Sequence, residues 1–220
     1  DVAALRSEVR PPKDPDVRAR VDALRKEIRE AKALYDTGRY EAGLRVAAPV
    51  STRARDIPYK PIQAEAFIVL AQLRAKDGAM ADAENLLHEA LWAAEASRHD
   101  FAAAESWVAL TMLVGYRLAR TDEGLRLGRH AAAALERMST PAHELAALLE
   151  NAIACIREAR GEYDAALRHY QRATEIAEKH LGADHVRTSH FTHNAGMTLR
   201  KLGRFDESLR TLERALSLHE

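Results

Sequence analysis

Side chains that could bind a metal ion are concentrated near the end of this sequence. Four histidines lie close together: His180, His185, His190 and His193. Only His190 and His193, which are three residues apart on one helix, are spaced to share an ion, because ligand nitrogens must converge on one point. No cysteine lies beside them. We therefore expect surface histidines, with no metal and no other cofactor.

The single cysteine, Cys155, is the second candidate for chemistry. One cysteine allows neither an internal disulfide nor a cysteine-based zinc site. On a helix Cys155 lies one turn from Asn151, and it can be imagined opposite His193. A catalytic Cys–His pair needs an activated thiolate inside a formed pocket. We expect a small residue that lines a surface instead, and no catalytic residue in this chain.

Basic side chains form a third cluster. Arg25, Arg29 and Lys32 are spaced by four and three residues, so they share one face of a helix. Such a face attracts acidic or phosphorylated segments. The alternative, which we expect, is a solvated face whose cations pair with Glu27 and Glu30.

The composition limits the class of protein that must position these residues. The 33 basic residues balance 33 acidic ones, and this lack of net positive charge argues against nucleic acid as a partner. Alanine accounts for 43 of the 220 residues, against 7 prolines and 10 glycines, which favours an all-α protein. No apolar run approaches the length of a membrane span. We expect a cytoplasmic chain that makes no membrane contact.

One unit recurs five times along the chain. A small residue is followed two positions later by a large residue and five positions later by a small one. The first residues of the five copies are Gly38, Gly78, Ala119, Gly161 and Gly203, at intervals of 40, 41, 42 and 42 residues. A further small or β-branched position follows seven residues after that second small residue, which is twelve after the first residue of each copy: Val50, Ala90, Ala131, Ala173 and Ala215. Small side chains there allow two helices to cross closely.

Each copy is predicted to be a helical hairpin with its turn at the glycine. The first helices (A helices) are expected near residues 17–36, 61–76, 101–118, 141–160 and 185–202. The second helices (B helices) are expected near 39–54, 80–97, 122–138, 162–180 and 204–219. Start signals for A helices are Pro61, Asp100, Thr140 and Asp184.

Stacked hairpins predict one right-handed α–α superhelix of five helix–turn–helix repeats. Its repeats start near residues 24, 64, 105, 147 and 189, and the array spans residues 16–220. Residues 1–15 form an N-terminal segment and linker, with a short helix expected in residues 1–10. Because the chain begins at Asp1 and ends within a B helix, we expect it to be a piece of a longer protein.

Two further expectations concern packing. Gly124 and Gly128 replace larger residues in the degenerate third copy, so we expect easier local opening there. Trp92 and Trp107 flank the junction of the second and third copies and are expected in the core.

The repeat resembles a tetratricopeptide repeat. The segment from Leu202 to Leu209, Leu-Gly-Arg-Phe-Asp-Glu-Ser-Leu, carries the signature, and the intervals of about 42 residues resemble those of kinesin light chain. The segment Glu178 to His185 and the run His193-Asn194-Ala195 are similar to the linker and helix opening of that family. The resemblance covers residues 24–220. It implies a protein-interaction scaffold.

A narrower resemblance covers residues 24–44 and 61–110. These segments look like the repeat arrays C-terminal to the catalytic domain of bacterial, especially myxobacterial, serine/threonine protein kinases. The kinase motifs themselves are absent from the sequence. The resemblance implies a regulatory or docking region of a signalling protein, which binds a protein or peptide. The alternative is an array that senses a small molecule or short peptide and regulates an attached kinase.

In tetratricopeptide arrays the A helices line a concave groove, so the resemblance also implies groove residues. Those expected to contact a partner are Arg25, Arg29, Lys32, Gln72, Lys76, Tyr116, Arg117, Asn151, His190, His193, Asn194 and Arg200. Asn151 and Asn194 are the leading candidates, because an amide can both donate to and accept from the backbone of an extended peptide. The equal alternative is a polar ladder between adjacent A helices. The sequence leaves the oligomeric state open.

Overall fold

A computed structural model describes residues 9–217, and in this range the chain forms ten helices and no strand. The helix bounds are α1 Pro15–Asp36, α2 Tyr40–Arg55, α3 Lys60–Lys76, α4 Met80–Ser97, α5 Asp100–Met112, α6 Thr121–Arg137, α7 His143–Ala159, α8 Tyr163–His180, α9 Val186–Lys201 and α10 Phe205–Ser217. Odd-numbered helices are A helices and even-numbered helices are B helices. The short helix expected in residues 1–10 lies, apart from Val9 and Arg10, outside the described residues.

The helix starts follow local capping chemistry, and two of the predicted capping residues are wrong. Pro61 lies in the first turn of α3, as expected. The Asp14 carboxylate caps α1 by accepting from the Asp16 N–H at 2.8 Å, which brings the start to Pro15. Helix α7 begins at His143, so Thr140 does not cap it. At α9 the cap is His185, whose Nδ1 accepts from the Arg187 N–H at 3.2 Å, and not Asp184.

The turn inside each hairpin needs a left-handed residue at the repeat's first position. Four glycines supply it, with φ between 74° and 87°: Gly38, Gly78, Gly161 and Gly203. The third copy has Ala119 there, at φ 56°. An alanine in this region carries a steric cost that glycine avoids. The degenerate copy therefore keeps the turn geometry of the others at the expense of some strain.

The helices group into two compact units, residues 1–109 and 110–220. In the first unit α1 packs on α2 and α3 on α4, and α2 also contacts α3. In the second unit α7 packs on α8 and α9 on α10, and α8 also contacts α9. The five predicted crossing positions are all buried, at 0 to 1% exposure except Ala215 at 4%. Their predicted role in close helix packing is confirmed.

The third copy departs from regular α-helix. After α5 the chain continues as a π turn over Leu113–Arg117, in which the Leu118 N–H bonds to the Leu113 carbonyl five residues back. Gly115 in this turn lies against Gly124 of α6: a Cβ on Gly115 would lie 2.9 Å from the Gly124 Cα. The glycines thus permit backbone-to-backbone contact and leave no gap at Gly124, so the reason for expecting easy opening there does not hold.

Trp92 corrects another expectation. Its side chain is 66% exposed on α4, whereas Trp107 is half-buried on α5. Trp92 is therefore not a core residue. No helix among residues 9–217 combines the length and apolar character needed to cross a bilayer.

Candidate functional site

Three polar side-chain pairs join A helices α7 and α9 in the second unit, and each pair is 43 residues apart. Arg187 Nε donates to Glu144 at 2.7 Å, the Asn194 amide donates to Asn151 Oδ1 at 3.1 Å, and Lys201 Nζ donates to Glu158 at 2.5 Å. The members are seven residues apart on each helix, which places them on one face, two turns from one another. The polar ladder between adjacent A helices is thus present, with the asparagine pair at its centre.

The asparagine pair uses only part of its hydrogen-bonding capacity. Asn151 is 4% exposed, while Asn194 is half-buried. Their bond takes one amide hydrogen of Asn194 and the carbonyl oxygen of Asn151. The side-chain oxygen Oδ1 of Asn194 and the second hydrogen on its Nδ2 make no hydrogen bond within the described part of the chain.

Cys155 lies beside this ladder and bonds to a tyrosine rather than a histidine. Its Sγ is 3.3 Å from the Tyr170 hydroxyl, which donates to Glu158 at 2.8 Å. Burial raises the pKa of the Cys155 thiol, and the Tyr170 hydrogen bond only partly offsets that effect. Burial also raises the pKa of Tyr170 strongly. Protonated thiol and phenol groups favour a packing role over nucleophilic chemistry.

The α9 residues around Asn194 form an exposed polar face. His190, His193 and Arg200 are exposed, and Met197 is half-buried between them. At the start of the second unit, Tyr116 is 44% exposed and the Arg117 guanidinium lies 5.8 Å from its ring centroid. Five of the predicted positions in this unit are therefore exposed, Asn194 is half-buried and Asn151 is buried.

The described part of the chain contains no cluster of side chains that could bind a metal ion. Among residues 9–217, no group of three or more His, Cys, Asp or Glu side chains is placed to hold an ion. His180 instead stacks on His143, with ring centroids 3.4 Å apart and planes within 7°. Desolvation, followed by the neighbouring His143 and Lys179, lowers the pKa of His180, which favours its neutral form.

In the first unit the centre of the A-helix face is a half-buried carboxylate. Glu65 on α3 receives two hydrogen bonds from the Arg25 guanidinium of α1, at 2.8 and 3.1 Å, and His99 Nε2 lies 3.7 Å away. Burial alone raises the pKa of Glu65, but the nearby His99 and the hydrogen-bonded Arg25 outweigh it and hold the pKa below its ordinary value. The predicted pairing of the basic face with Glu27 is wrong, because Glu27 pairs with Arg53 of α2.

The other predicted side chains of the first unit are also partly occupied. Lys76 Nζ lies over two rings, 5.8 Å from the Tyr35 centroid and 5.5 Å from the Tyr40 centroid. The Gln72 Nε2 lies 3.5 Å from Glu105, and the buried Gln72 Oε1 has no hydrogen-bond partner among residues 9–217. Lys32 lies 3.9 Å from Asp36, and Arg29 is exposed without an ion pair among the described residues.

Comparison with known proteins settles the fold. Residues 144–220 match the tetratricopeptide repeat family profile. The chain is similar to the nearly identical tetratricopeptide-like repeats of a kinesin light chain from Podosopora anserina, at 16% identity and a TM-score of 0.62, covering 90% of this chain and 95% of that one. The chain has the tetratricopeptide repeat fold.

Two further solved structures share this tetratricopeptide fold. BtubC (BKLC) from P. vanneervenii is 23% identical over 94% of this chain and 74% of its own, with a TM-score of 0.62. A Rap protein complexed with Competence and Sporulation Factor is 10% identical, covers 86% of this chain and 52% of its own, and has a TM-score of 0.78. No curated protein matches the chain. The all-α tetratricopeptide architecture expected from the sequence is confirmed.

Sequence reasoning missed two features of these tetratricopeptide helices. The first is the Arg25–Glu65–His99 cluster, which depends on the relative rotation of α1, α3 and α5 and leaves no local signal. The second is the exposure of Trp92, for which a signal existed. Trp92 is fourteen residues after Gly78, and the matching positions in the other copies are all exposed: Thr52, Ala133, Glu175 and Ser217.

Proposed function

We propose that this chain is a non-catalytic scaffold whose A helices bind an extended peptide or a segment of a partner protein. The observation that carries the proposal is the exposed polar face of α9, where Asn194 keeps one donor and one acceptor for a ligand. An extended peptide offers the matching carbonyl and N–H groups. Because the Asn151 bond fixes the Asn194 side chain, little conformational entropy is lost on binding.

The charges around Asn194 favour an acidic partner segment. His193 lies one residue before Asn194 and Arg200 six residues after it, and the two share one face of α9. Arg200 makes no ion pair within residues 9–217. Arg117 adds a further exposed guanidinium at the start of the second unit. Carboxylate or phosphate groups on the peptide would form charge-assisted hydrogen bonds with these side chains.

A displayed library of unstructured peptides is the probe that tests this proposal. Peptides selected on the wild-type chain are titrated by fluorescence anisotropy against Asn194→Ala and Arg200→Ala. Each substitution should weaken binding about tenfold, the worth of one well-placed polar contact. The control is Gln171→Ala, an exposed amide on B helix α8.

The Asn194→Ala substitution also removes a hydrogen bond between α7 and α9, so a loss of binding could come from a disturbed structure. Arg200→Ala does not have this problem, because Arg200 is exposed and makes no ion pair within residues 9–217. The proposal would be contradicted if the selected peptides bind Arg200→Ala and Asn194→Ala as tightly as they bind the wild-type chain. It would also be contradicted if they lose affinity only for Gln171→Ala. Failure to select any peptide would contradict it as well.

A sensor role is the second candidate, and one observation favours it. A protein that shares this fold, at a TM-score of 0.78, is a Rap protein complexed with Competence and Sporulation Factor. A chain that senses a small molecule or short peptide should gain thermal stability in its presence, by mass action. A saturable rise in melting temperature across a library of such compounds is the expected result.

We also propose that the chain acts in the cytoplasm as the docking or regulatory region of a larger signalling protein, such as a bacterial serine/threonine kinase. This proposal rests on the sequence resemblance of residues 24–44 and 61–110. The sequence of the encoding gene tests it directly, and a gene without a kinase domain would contradict it.

A further inference from the structure

Trp92 is a large apolar side chain at a repeat position that is exposed to solvent. The residue fourteen positions after the turn is exposed in all five copies, and in the other four it is small or polar: Thr52, Ala133, Glu175 and Ser217. Only the second copy places an indole there, 66% exposed. His88, one turn earlier on α4, extends the surface, with its ring centroid 6.1 Å from that of the indole. Tryptophan is enriched among the residues that dominate protein interfaces.

The charge of α4 indicates what kind of group would contact Trp92. The helix contains four acidic residues, Asp82, Glu84, Glu89 and Glu95, and no lysine or arginine. Indole is the best aromatic acceptor for a cation–π contact, and a guanidinium can stack on its face. Glu89 already pairs with Arg55 of α2, so the acidic character of this surface does not depend on Glu89 alone. A surface that combines an exposed indole with the carboxylates of α4 fits an arginine-bearing surface.

Such a surface exists on the B helices of the second unit. Arg126, Arg168 and Arg210 are 42 residues apart, so they occupy the same register on α6, α8 and α10. All three are exposed, and none takes part in an ion pair among residues 9–217. Arg172 lies one turn after Arg168, also exposed and without an ion pair, and the two border a surface depression that His169, Gln171 and Glu175 complete.

We propose that the Trp92 surface of one copy docks on the Arg168–Arg172 surface of a second copy of this chain. The two surfaces are opposite in charge, and the indole supplies the apolar centre that a charged contact otherwise lacks. The chain as a whole has a formal net charge of zero, so association is not opposed by overall repulsion. The contact is heterologous, because each copy uses a different surface, and copies add one after another.

Sedimentation velocity from micromolar to near-millimolar concentration tests the contact. Wild type should form species larger than a dimer as concentration rises, and added salt should weaken them through screening. Trp92→Ala should weaken association about 30-fold, the effect of losing an interface hot spot. Arg168→Glu/Arg172→Glu should abolish it by placing carboxylates opposite α4.

A mixture of the two variants separates this proposal from other modes of association. Each variant alone lacks one surface, but the Trp92→Ala chain keeps its arginines and the double variant keeps its indole. The mixture should form a one-to-one heterodimer and nothing larger.

The matched control is Arg39→Glu/Arg45→Glu, which makes the same charge change at exposed arginines of the first unit that have no ion pair in the described structure. It should assemble like wild type. The proposal would be overturned if the wild-type chain stays monomeric throughout the concentration range. It would also be overturned if the mixture of variants forms no heterodimer, or if the control variant fails to assemble.

Discussion

Placing a methyl group on Gly124 sets two physical effects against each other. Gly124 lies in the interior of α6, where glycine is a poor helix former, so alanine should stabilise the helix by about 1 kcal/mol. A Cβ at this position, however, would lie 2.8 Å from the Gly115 N and closer still to the Gly115 Cα. Both atoms belong to the backbone, so no change of rotamer can relieve the contact.

The packing effect should dominate. Overpacking typically costs about 1–3 kcal/mol, and a contact with backbone belongs at the upper end. Subtracting the helix propensity gain leaves a net loss of about 2 kcal/mol for Gly124→Ala. In a chain of this length that loss lowers the melting temperature by about 4–8 °C.

Gly128 supplies the matched control on the same helix. A Cβ there would lie 3.4 Å from a Thr111 methyl group and 3.5 Å from Ile153 Cγ1, which is ordinary contact. Gly128→Ala should therefore keep the propensity gain and raise the melting temperature by about 2 °C. The measurement is the melting temperature of wild type, Gly124→Ala and Gly128→Ala, followed by circular dichroism. If Gly124→Ala melts at the same temperature as wild type, the backbone of Gly124 does not lie in close contact with the backbone of Gly115.

Three further outcomes are expected. Ala119→Gly should stabilise the chain by about 0.5–1 kcal/mol because it relieves a left-handed alanine, whereas Gly161→Ala at the matching turn should destabilise it by about 1 kcal/mol, both measured by urea denaturation. Glu65→Gln should cost about 1 kcal/mol at neutral pH. The pKa of Glu65 is lowered in the folded state, so ionised Glu65 stabilises the fold fully above its pKa in the unfolded chain, and this stabilisation is lost as the pH falls through its pKa in the folded chain. The melting temperatures of wild type and Glu65→Gln should therefore converge in acid. A difference in melting temperature that does not change with pH would rule out the Arg25 pairing. Cys155 should react with a disulfide reagent about tenfold more slowly in the folded chain than in urea, and equal rates would contradict its burial.

Much of this fold follows from local sequence. The hairpin turns were predictable because a left-handed residue favours glycine, and the crossing positions because small residues recur at fixed intervals. Periodicity placed the described helix ends within about two residues, except at α5, where the α-helix ends at Met112, six residues before the predicted end, because a π turn follows it. Repeat register alone would also have placed Trp92 in solvent, since its four counterparts are short or polar side chains that suit exposure.

The candidate site was less predictable, because it depends on how helices distant in sequence are rotated against one another. Asn151 and Asn194 were identified as a pair with two possible roles, yet their hydrogen bond depends on a 43-residue offset that differs by one from the repeat interval. The pairing of Glu65 with Arg25 was not predicted, although it joins α1 to α3 on the A-helix face of the first unit. The π turn after α5 adds one residue to a helical turn without any compositional mark.

The polar ladder between α7 and α9 limits how freely these repeats can be recombined. A fifth repeat grafted behind any other copy would bring Arg187, Asn194 and Lys201 opposite residues that lack the acid–amide–acid order of the fourth. Two cations would lose their counterions and a half-buried amide its acceptor. Repeats four and five are therefore a single exchangeable module, and designs that shorten or lengthen this array should cut before α7 rather than between α8 and α9.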